Sequence, residues 1–460
     1  MYQTRQIQIK KNHKMYAYFE NLTLLANNLA NTTIFYLRQY ATAKYAFEEM
    51  KPLREHQLEI FNLVEEVTKD TKYHPKDSVK WLNYNQLDYI FKETKNADYI
   101  ALPMQCNQQI IKMVLRDFKS YFESLKAYQN NPNAFTGKPK MPKYKKSGGK
   151  CVALLTNQIC KIKEDKYLKL PKTKTRLNLS KFGLSGTLKE VRVKPHFVGF
   201  TIDVVLEEAY EGEITSSDNE KLLTKYKDYT SLNERALAID TGLSNLCAIV
   251  NNFGDKPLLI NGNPIKSKNQ YYNKCLSKAR SDAKKHNNLD WTLRMERLTR
   301  KRNNQIKDYM HKTSTYIAEY AKSQNVKIVV IGHNKLQKKD INIGKVNNQN
   351  FVMVPMLMLI NQLQYKLNRL GIELIVVEES YTSLASFENM DFLPSYGKDD
   401  EKANFTGTRL KRGLYQTDGK KVINADLNGA ANIFRKAFPK VSEWDSGIVN
   451  MPITKITIKA

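Results

Sequence analysis

The chain has 460 residues, room for two to four domains with a sizeable core. Its 74 Lys and Arg outnumber 46 Asp and Glu, a formal net charge of +28, so it is drawn to polyanions, and nucleic acid is the expected partner ahead of an anionic membrane surface. No apolar run reaches the length of a bilayer span, the opening M-Y-Q-T-R-Q does not read as a signal peptide, and five cysteines without a C-x-x-C pair argue against a zinc ribbon or disulfide scaffold.

Taken in chain order, residues 5–10 (R-Q-I-Q-I-K) alternate polar and apolar and predict a half-buried strand. From Met15 to about Ala43 the apolar residues fall at helical spacing. Helical patterns resume at 58–67 and at 107–128, where Ile110, Ile111, Val114, Leu115, Phe118, Phe122 and Leu125 make one face. That aromatic stripe reads as core ahead of a base-stacking platform. Turn formers begin at Asn130, and Lys138 to Lys150 holds six lysines and no acid. A solvated linker is one reading of this run. Contact with a phosphate backbone is the other, favoured by the interleaved Met141 and Tyr144. Short alternating strands fill 151–208 and predict a small β-barrel or sandwich, which the strand near Ile7 joins if the helical lobe is an insertion. Residues 209–231 read as a linker.

Ala236 to Val250 (A-L-A-I-D-T-G-L-S-N-L-C-A-I-V) reads as a buried strand, a turn and a second strand. Asp240 at the end of that first strand is either a turn cap or a carboxylate compensated by a metal ion. A strand at P-L-L-I-N-G follows. The segment from Pro264 to Lys312 has an apparently helical pattern with fourteen Lys or Arg and four acids, and the helix runs on through Tyr320. So much positive charge favours a nucleic-acid face over a merely solvated helix. Val326–Ile331 is a buried strand, 355–370 a helix, and 372–377 a strand leading into Glu378-Glu379. Residues 384–421 read as irregular, with R-L-K-R at 409–412. A helix opens at Asn424 with Asp426 in its first turn, and the last twenty residues have no clear period.

From Arg235 onward this is a mixed α/β order of the kind a ribonuclease H-like domain requires. There, carboxylates from the first strand, a later strand end and the final helix converge at one sheet edge. The candidates are Asp240, Glu379 (alternate Glu378) and Asp426. Three carboxylates repel one another unless a divalent cation lies among them. Mg²⁺, with its preference for hard oxygen ligands, suits such a set. A pair of such ions can activate water and stabilise the leaving oxygen of a phosphodiester.

At these residues the sequence resembles TnpB, the transposon-encoded RNA-guided nuclease, and its relatives the compact type V CRISPR effectors. The likeness lies in I-D-T-G-L-S-N-L (239–246), V-V-I-G-H-N-K (329–335), E-E-S-Y-T-S (378–383) and N-A-D-L-N-G-A-A-N-I (424–433), with G-K-P-K-M-P-K-Y-K-K (137–146) in the N-terminal half. The resemblance implies an α/β chain: a ribonuclease H-like (RuvC) nuclease domain plus an N-terminal wedge β-barrel with an inserted helical recognition lobe. The expected divisions are barrel strand 1–12, lobe 13–130, barrel and linker 131–230, nuclease 231–379, a target-nucleic-acid-binding insertion 380–421, closing helix 422–440 and a tail 441–460. It implies a guide RNA and target double-stranded DNA as partners, two Mg²⁺ ions with Mn²⁺ as a substitute, no membrane, a monomer or dimer on one guide RNA, and a prokaryotic cytoplasm. Expected nucleic-acid contacts are Lys138, Lys140, Lys143, Lys145, Lys146, Arg294, Arg297, Arg300, Lys301, Arg302, Arg409, Lys411 and Arg412.

Two departures from the family pattern matter. The second catalytic acid is expected directly after V-V-I, but Gly332 stands there, followed by His333 and Asn334. Glu379 at the neighbouring strand end is the compensating candidate, and because adjacent strand residues face opposite ways only one of the Glu378-Glu379 pair points at the site. The insertion also lacks the usual four cysteines, so no zinc is expected. Packing through Phe387, Phe392, Tyr396 and Phe405 would have to hold it. The expected function is an RNA-guided DNA endonuclease. The alternative is a guide-directed DNA-binding repressor with an inactivated site. A transposase or Holliday-junction resolvase explains the lobe and the lysine-rich barrel less well.

Overall fold

The computed structural model describes the chain except for residues 1, 183–185, 209–217, 335–352, 396, 398, 412, 442–446 and 460. Two compact units divide it, Met1–Tyr210 and Glu211–Ala460.

In the first unit, strand β1 (Tyr2–Lys10) precedes helices α1 (Tyr16–Glu48), α2 (Glu55–Thr68), α3 (Tyr84–Glu93), α4 (Ala97–Ala101) and α5 (Met104–Asn130). Strands β2 (Ala153–Thr156), β3 (Lys161–Lys163), β4 (Tyr167–Lys169), β5 (Leu177–Asn178), β6 (Thr187–His196) and β7 (Gly199–Glu207) follow. They form a four-stranded sheet ordered β1-β7-β6-β2 and a three-stranded sheet β3-β4-β5. β1 pairs antiparallel with β7 along its whole length, so the first strand completes a sheet whose other strands lie beyond the helices. Apolar burial drives the helices together: Phe19, Leu29, Leu37, Phe91, Ile110 and Ile111 are fully buried in one core. The expected aromatic stripe on α5 is accordingly packing, with Phe118 and Phe122 against Trp81.

The lysine-rich run at 138–150 is laid along α1. Asn31 donates to the Lys145 carbonyl and accepts from the Lys145 amide, Asn27 donates to the Lys146 carbonyl, and Arg38 donates to the Pro142 carbonyl. These bonds satisfy backbone polar groups on one side. Lys138, Lys140, Lys143 and Lys146 remain exposed.

The second unit begins with helix α6 (Asn219–Tyr226), then strands β8 (Ala236–Thr241), β9 (Asn245–Asn251) and β10 (Leu258–Asn261), helices α7 (Asn263–Asn287) and α8 (Leu293–Ser323), and strand β11 (Ile328–Gly332). A helix at Met356–Asn368, strands β12 (Glu373–Val377), β13 (Thr408–Lys411), β14 (Leu414–Gln416) and β15 (Val422–Asn424), the closing helix Ala425–Ala437 and strand β16 (Thr454–Ile456) complete it. The main sheet runs β12-β11-β8-β9-β10-β16, with β8, β11 and β12 parallel and β8-β9-β10 an antiparallel meander. Its two faces are both covered. Ala236, Ala238, Val330, Ile375 and Val377 pack on the closing helix, while Leu237, Ile239, Val329, Ile331 and Leu374 pack on α8 and the Met356–Asn368 helix. This burial explains the unbroken apolar runs of the parallel strands. Asn219 caps the β12 edge by both donating to and accepting from Val376.

Three sequence expectations change. The single long helix of 264–320 is two, because Asn288 adopts a left-handed φ of 46° and Thr292 caps α8 through the Met295 amide. The irregular 384–421 stretch contains β13 and β14, which with β15 make a three-stranded sheet. The final residues are not a bare tail, since β16 pairs in parallel with β10. Among the described residues no helix is long and apolar enough to cross a membrane.

The expected aromatic packing of the insertion is present in part. Phe387 is buried and Phe405 is half-buried with its ring 6.0 Å from that of Tyr381, while Phe392 is 52% exposed and Tyr396 lies outside the described residues. The knot is Asp391, whose buried carboxylate accepts from the Ser386 and Thr406 amides and the Thr406 hydroxyl. Half-buried Arg435 of the closing helix donates to the Asp391 carbonyl. A charged acceptor with three donors ties two distant chain segments to each other. Asp391→Ala is expected to cost about 3 kcal/mol, from the orphaned donors, and to raise amide exchange at Ser386 and Thr406. Unchanged exchange at those two amides would assign the tie elsewhere.

Candidate active site

The parallel strands β8, β11 and β12 end at one edge of the main sheet. Ile239 pairs with Ile331, so Asp240 lies level with Gly332 one strand over. Gly332 in turn pairs with Val377, directly before Glu378-Glu379. Parity along the strands then sorts the side chains. Ala236 and Ala238 face the closing helix, and Asp240 continues that face. Ile375 and Val377 face it too, and Glu379 continues theirs.

The contacts agree. Asp240 Oδ2 lies 2.8 Å from where a Cβ would stand on Gly429 of the closing helix. Glu379 Oε2 lies 2.8 Å, and Ile433 Cδ1 2.6 Å, from where a Cβ would stand on Gly332. A residue with a side chain at 332 would collide with both, so the glycine is the space that Glu379 fills. Glu378 turns outward instead and pairs with Lys436 of the closing helix at 2.7 Å. Asp426 sits in the first turn of that helix, whose cap Asn424 accepts from the Asp426 and Leu427 amides.

The electrostatics tie the three acids together. Burial away from water is the largest influence raising the Asp240 carboxyl well above the ordinary range, followed by the negative charges of Glu379 and then Asp426. Arg409 and the Thr241 amide pull in the opposite direction. The guanidinium of Arg409, from β13 of the insertion, stands 3.6 Å from Asp426 Oδ1. Asn245, at the start of β9, donates to Asp426 Oδ2 at 2.7 Å.

As donors the three side chains fit Mg²⁺: all are hard carboxylate oxygens, and burial and the two neighbouring carboxylates disfavour the charged form of Asp240 while no cation is bound. Their oxygens are not drawn into one tight shell, for among the described residues no group of three or more His, Cys, Asp or Glu stands close enough to hold an ion.

Sequence reasoning missed the asparagines that hold this edge. Asn428 accepts from the Phe387 amide and donates to the Ala385 carbonyl, and Asn432 donates to the Thr382 and Ala385 carbonyls. Both are fully buried. They fasten the turn after Glu379, whose own carbonyl accepts from Thr382 Oγ1 and whose amide donates to Asn334. The available signal was polar residues at 424, 428 and 432, spaced by one helical turn on an otherwise small and apolar helix.

Among the expected nucleic-acid contacts, Arg294, Arg297 and Lys301 are exposed on α8, Arg300 is half-buried there, and Arg409 and Lys411 are exposed on β13. Arg302 differs. Its guanidinium donates to Asn269, Asn303 and the Met353 carbonyl, so three of its five N–H donors are engaged within the protein. Lys145 is half-buried, and its backbone is engaged by Asn31. Arg412 lies outside the described residues.

Residues 216–337 match the family model described as probable transposase OrfB_IS605, and residues 358–433 match the Cas12f1-like TNB domain. The resemblance to transposon-encoded TnpB proteins and compact type V effectors is thus borne out by two separate segments. No curated protein gives a match. Among solved structures, a Cas12f1–sgRNA–target DNA complex is similar at 14% identity and TM-score 0.46, covering 92% of this chain and 82% of that one. The mini-RNA-guided endonuclease CRISPR-Cas_phi3 is similar at 10% identity and TM-score 0.46, covering 95% and 92%. These likenesses are of outline; the chemistry rests on this chain's own residues.

The raised Asp240 carboxyl sets a stability prediction. A carboxyl that holds its proton more tightly folded than unfolded loses stability as pH climbs from the ordinary value of 3.8 towards the raised one. With chelator present, Asp240→Asn should therefore melt higher at pH 7.5, by about 2 °C or more, and by less at pH 5. An equal gain at both values, or a loss, would contradict the assigned burial.

Proposed function

We propose that this chain is an RNA-guided DNA endonuclease with a ribonuclease H-like (RuvC) active site made by Asp240, Glu379 and Asp426. The observation that carries the reading is geometric: Asp240 and Glu379 continue the closing-helix face of neighbouring strands, each carboxylate reaching a glycine position beside that helix, and Asp426 lies in the helix's first turn. Costly clustered acids serve no purpose in a protein that only binds DNA. The strand order supports a ribonuclease H-like core, and the Cas12f1-like match over 358–433 supports reading 380–421 as the target-nucleic-acid-binding insertion.

Asp240, Glu379 and Asp426 would hold Mg²⁺ or Mn²⁺. Bound divalent cations supply activated water at neutral pH and positive charge at the leaving oxygen of the phosphodiester. The chain's own side chains do the rest. Asn245 fixes the rotamer of Asp426, and the asparagine-held turn at 382–387 fixes Glu379. Arg409, reaching in from the insertion, offers fork-shaped donors to a backbone phosphate beside Asp426. The lysines displayed along 138–146 and the α8 arginines track the backbones of a guide RNA and its DNA target, on one chain or two. Sequence would then be read by base pairing and not by side chains. The Asp391 tie supports an insertion that needs no zinc.

A second reading, a guide-directed repressor, is favoured by Gly332, which removes the acid expected after β11. It is weakened by Glu379, which fills the same space. Cleavage of a matching duplex by the purified ribonucleoprotein with Mg²⁺ decides between the two. Asp240→Ala, Asp426→Ala and Glu379→Gln should each lower cleavage by at least about 10³-fold while leaving target binding intact, and Glu378→Gln should cut normally. Binding without any cleavage would establish the repressor. A dead Glu378→Gln beside an active Glu379→Gln would reverse the assignment of the pair.

A further inference from the structure

Helices α7 and α8 lie side by side, and a groove follows their seam. It consists of two adjoining hollows of about 270 and 260 Å³ that share Leu298 and Lys301, the first lined by both helices and the second by α8 alone. Each is smaller than an enclosed small-molecule site, which starts near ~300 Å³, so the groove suits a strand laid along it and not a cofactor. One wall carries Lys268, Tyr271 and Tyr272 from α7; the other carries Arg294, Arg297 and Lys301 from α8. The α8 residues recur at helical spacing and therefore stand in one row, continuing to Gln305 over roughly 16 Å. No acidic side chain is among the described residues that line it, and at its edge Arg294 pairs with Asp282 of α7 at 3.4 Å.

The two tyrosines differ in what they do. Tyr272 is committed to packing: its hydroxyl bonds Thr299, and the internally bonded Arg302 lies over its ring. Tyr271 is 70% exposed and lines the same hollow as Lys268 and Lys301, so its aromatic face is open to solvent beside two cations. An exposed ring between cations offers a stacking face beside phosphate-binding charges.

We propose that the α7–α8 groove is a track for a single nucleic-acid strand, with an unpaired base stacked on Tyr271 and the adjoining phosphates held by Lys268, Lys301, Arg297 and Arg294. A single strand is specified because stacking on a side chain needs an unstacked base, and because a seam between two packed helices, whose axes lie roughly 8–10 Å apart, is too narrow for a duplex. The proposal rests on the nucleic-acid reading above and adds a strand-specific site away from the carboxylates.

The test uses the full-length protein and a fluorescein-labelled oligothymidine, with a duplex of the same length as the comparison. Tyr271→Ala should weaken single-strand binding about 5- to 150-fold while changing duplex binding less than about twofold, and Tyr271→Phe should retain it. Lys268→Gln with Lys301→Gln should flatten the log–log salt dependence by about 1.4. A photoreactive 4-thiothymidine probe should crosslink to peptides spanning 267–272 and 294–305. Asp240→Ala should leave all of these values unchanged, so failure of the nuclease reading would not imitate failure of this one. Equal losses on duplex and single strand, unchanged binding by Tyr271→Ala, or crosslinks confined to other peptides would overturn it. So would a solution dimer that Tyr271→Ala converts to a monomer, which would make the groove a seat for a second copy of the chain.

Discussion

Repulsion among three carboxylates at one sheet edge is the constraint on which the rest of the second unit depends. The Asp240 carboxyl is raised by burial and then by its two acidic neighbours, so its charged form costs free energy at this edge. Such an arrangement persists only where the surroundings over-determine it. The surroundings here are a fully covered sheet and a closing helix packed across it. Small residues on that helix matter for the same reason: Gly429 admits Asp240, as Gly332 admits Glu379.

The polar scaffold behind the acids is built from asparagine. Asn245 holds Asp426, Asn334 holds the Glu379 amide, and Asn428 and Asn432 hold the turn that follows it. An amide side chain offers both donor and acceptor without adding charge. It can therefore fasten a loop beside carboxylates without deepening their repulsion or neutralising them. Arg409 is the exception, a cation placed against Asp426 by the exposed strand β13. Its position links the insertion to the acids electrostatically, and the Asp391 tie keeps the insertion folded while it does so.

Much of this was legible in the sequence because apolar patterning and strand parity are local properties. The buried strands, the position of Asp240 at a strand end and the first-turn placement of Asp426 all follow from residue order. That only one of Glu378 and Glu379 faces the site follows from strand parity, whereas the choice of Glu379 rested on its place in the E-E-S-Y-T-S motif. The split of α7 from α8 was not legible, because a single left-handed asparagine decides it within a continuous polar stretch. Nor was the insertion's small sheet, whose strands are three or four residues long and largely exposed. Arg302 misled for a related reason: one-dimensional charge does not reveal that the Met353 carbonyl waits within reach. The asparagine contacts join residues forty or more positions apart, and no local pattern announces them.

The central claim is that Glu379 supplies, from β12, the acid that β11 lacks. A relocation measures it. Aspartate's carboxylate oxygens stand roughly 2.4 Å from its Cβ, close to the 2.8 Å that separates Glu379 Oε2 from a Cβ placed on Gly332. Guide-dependent DNA cleavage by Gly332→Asp combined with Glu379→Gly should recover at least tenfold over Glu379→Gly alone. Recovery would show that the two positions serve one site. If the double variant stays as inactive as the single one while both bind target DNA equally, the claim that the acid has moved between strands is contradicted.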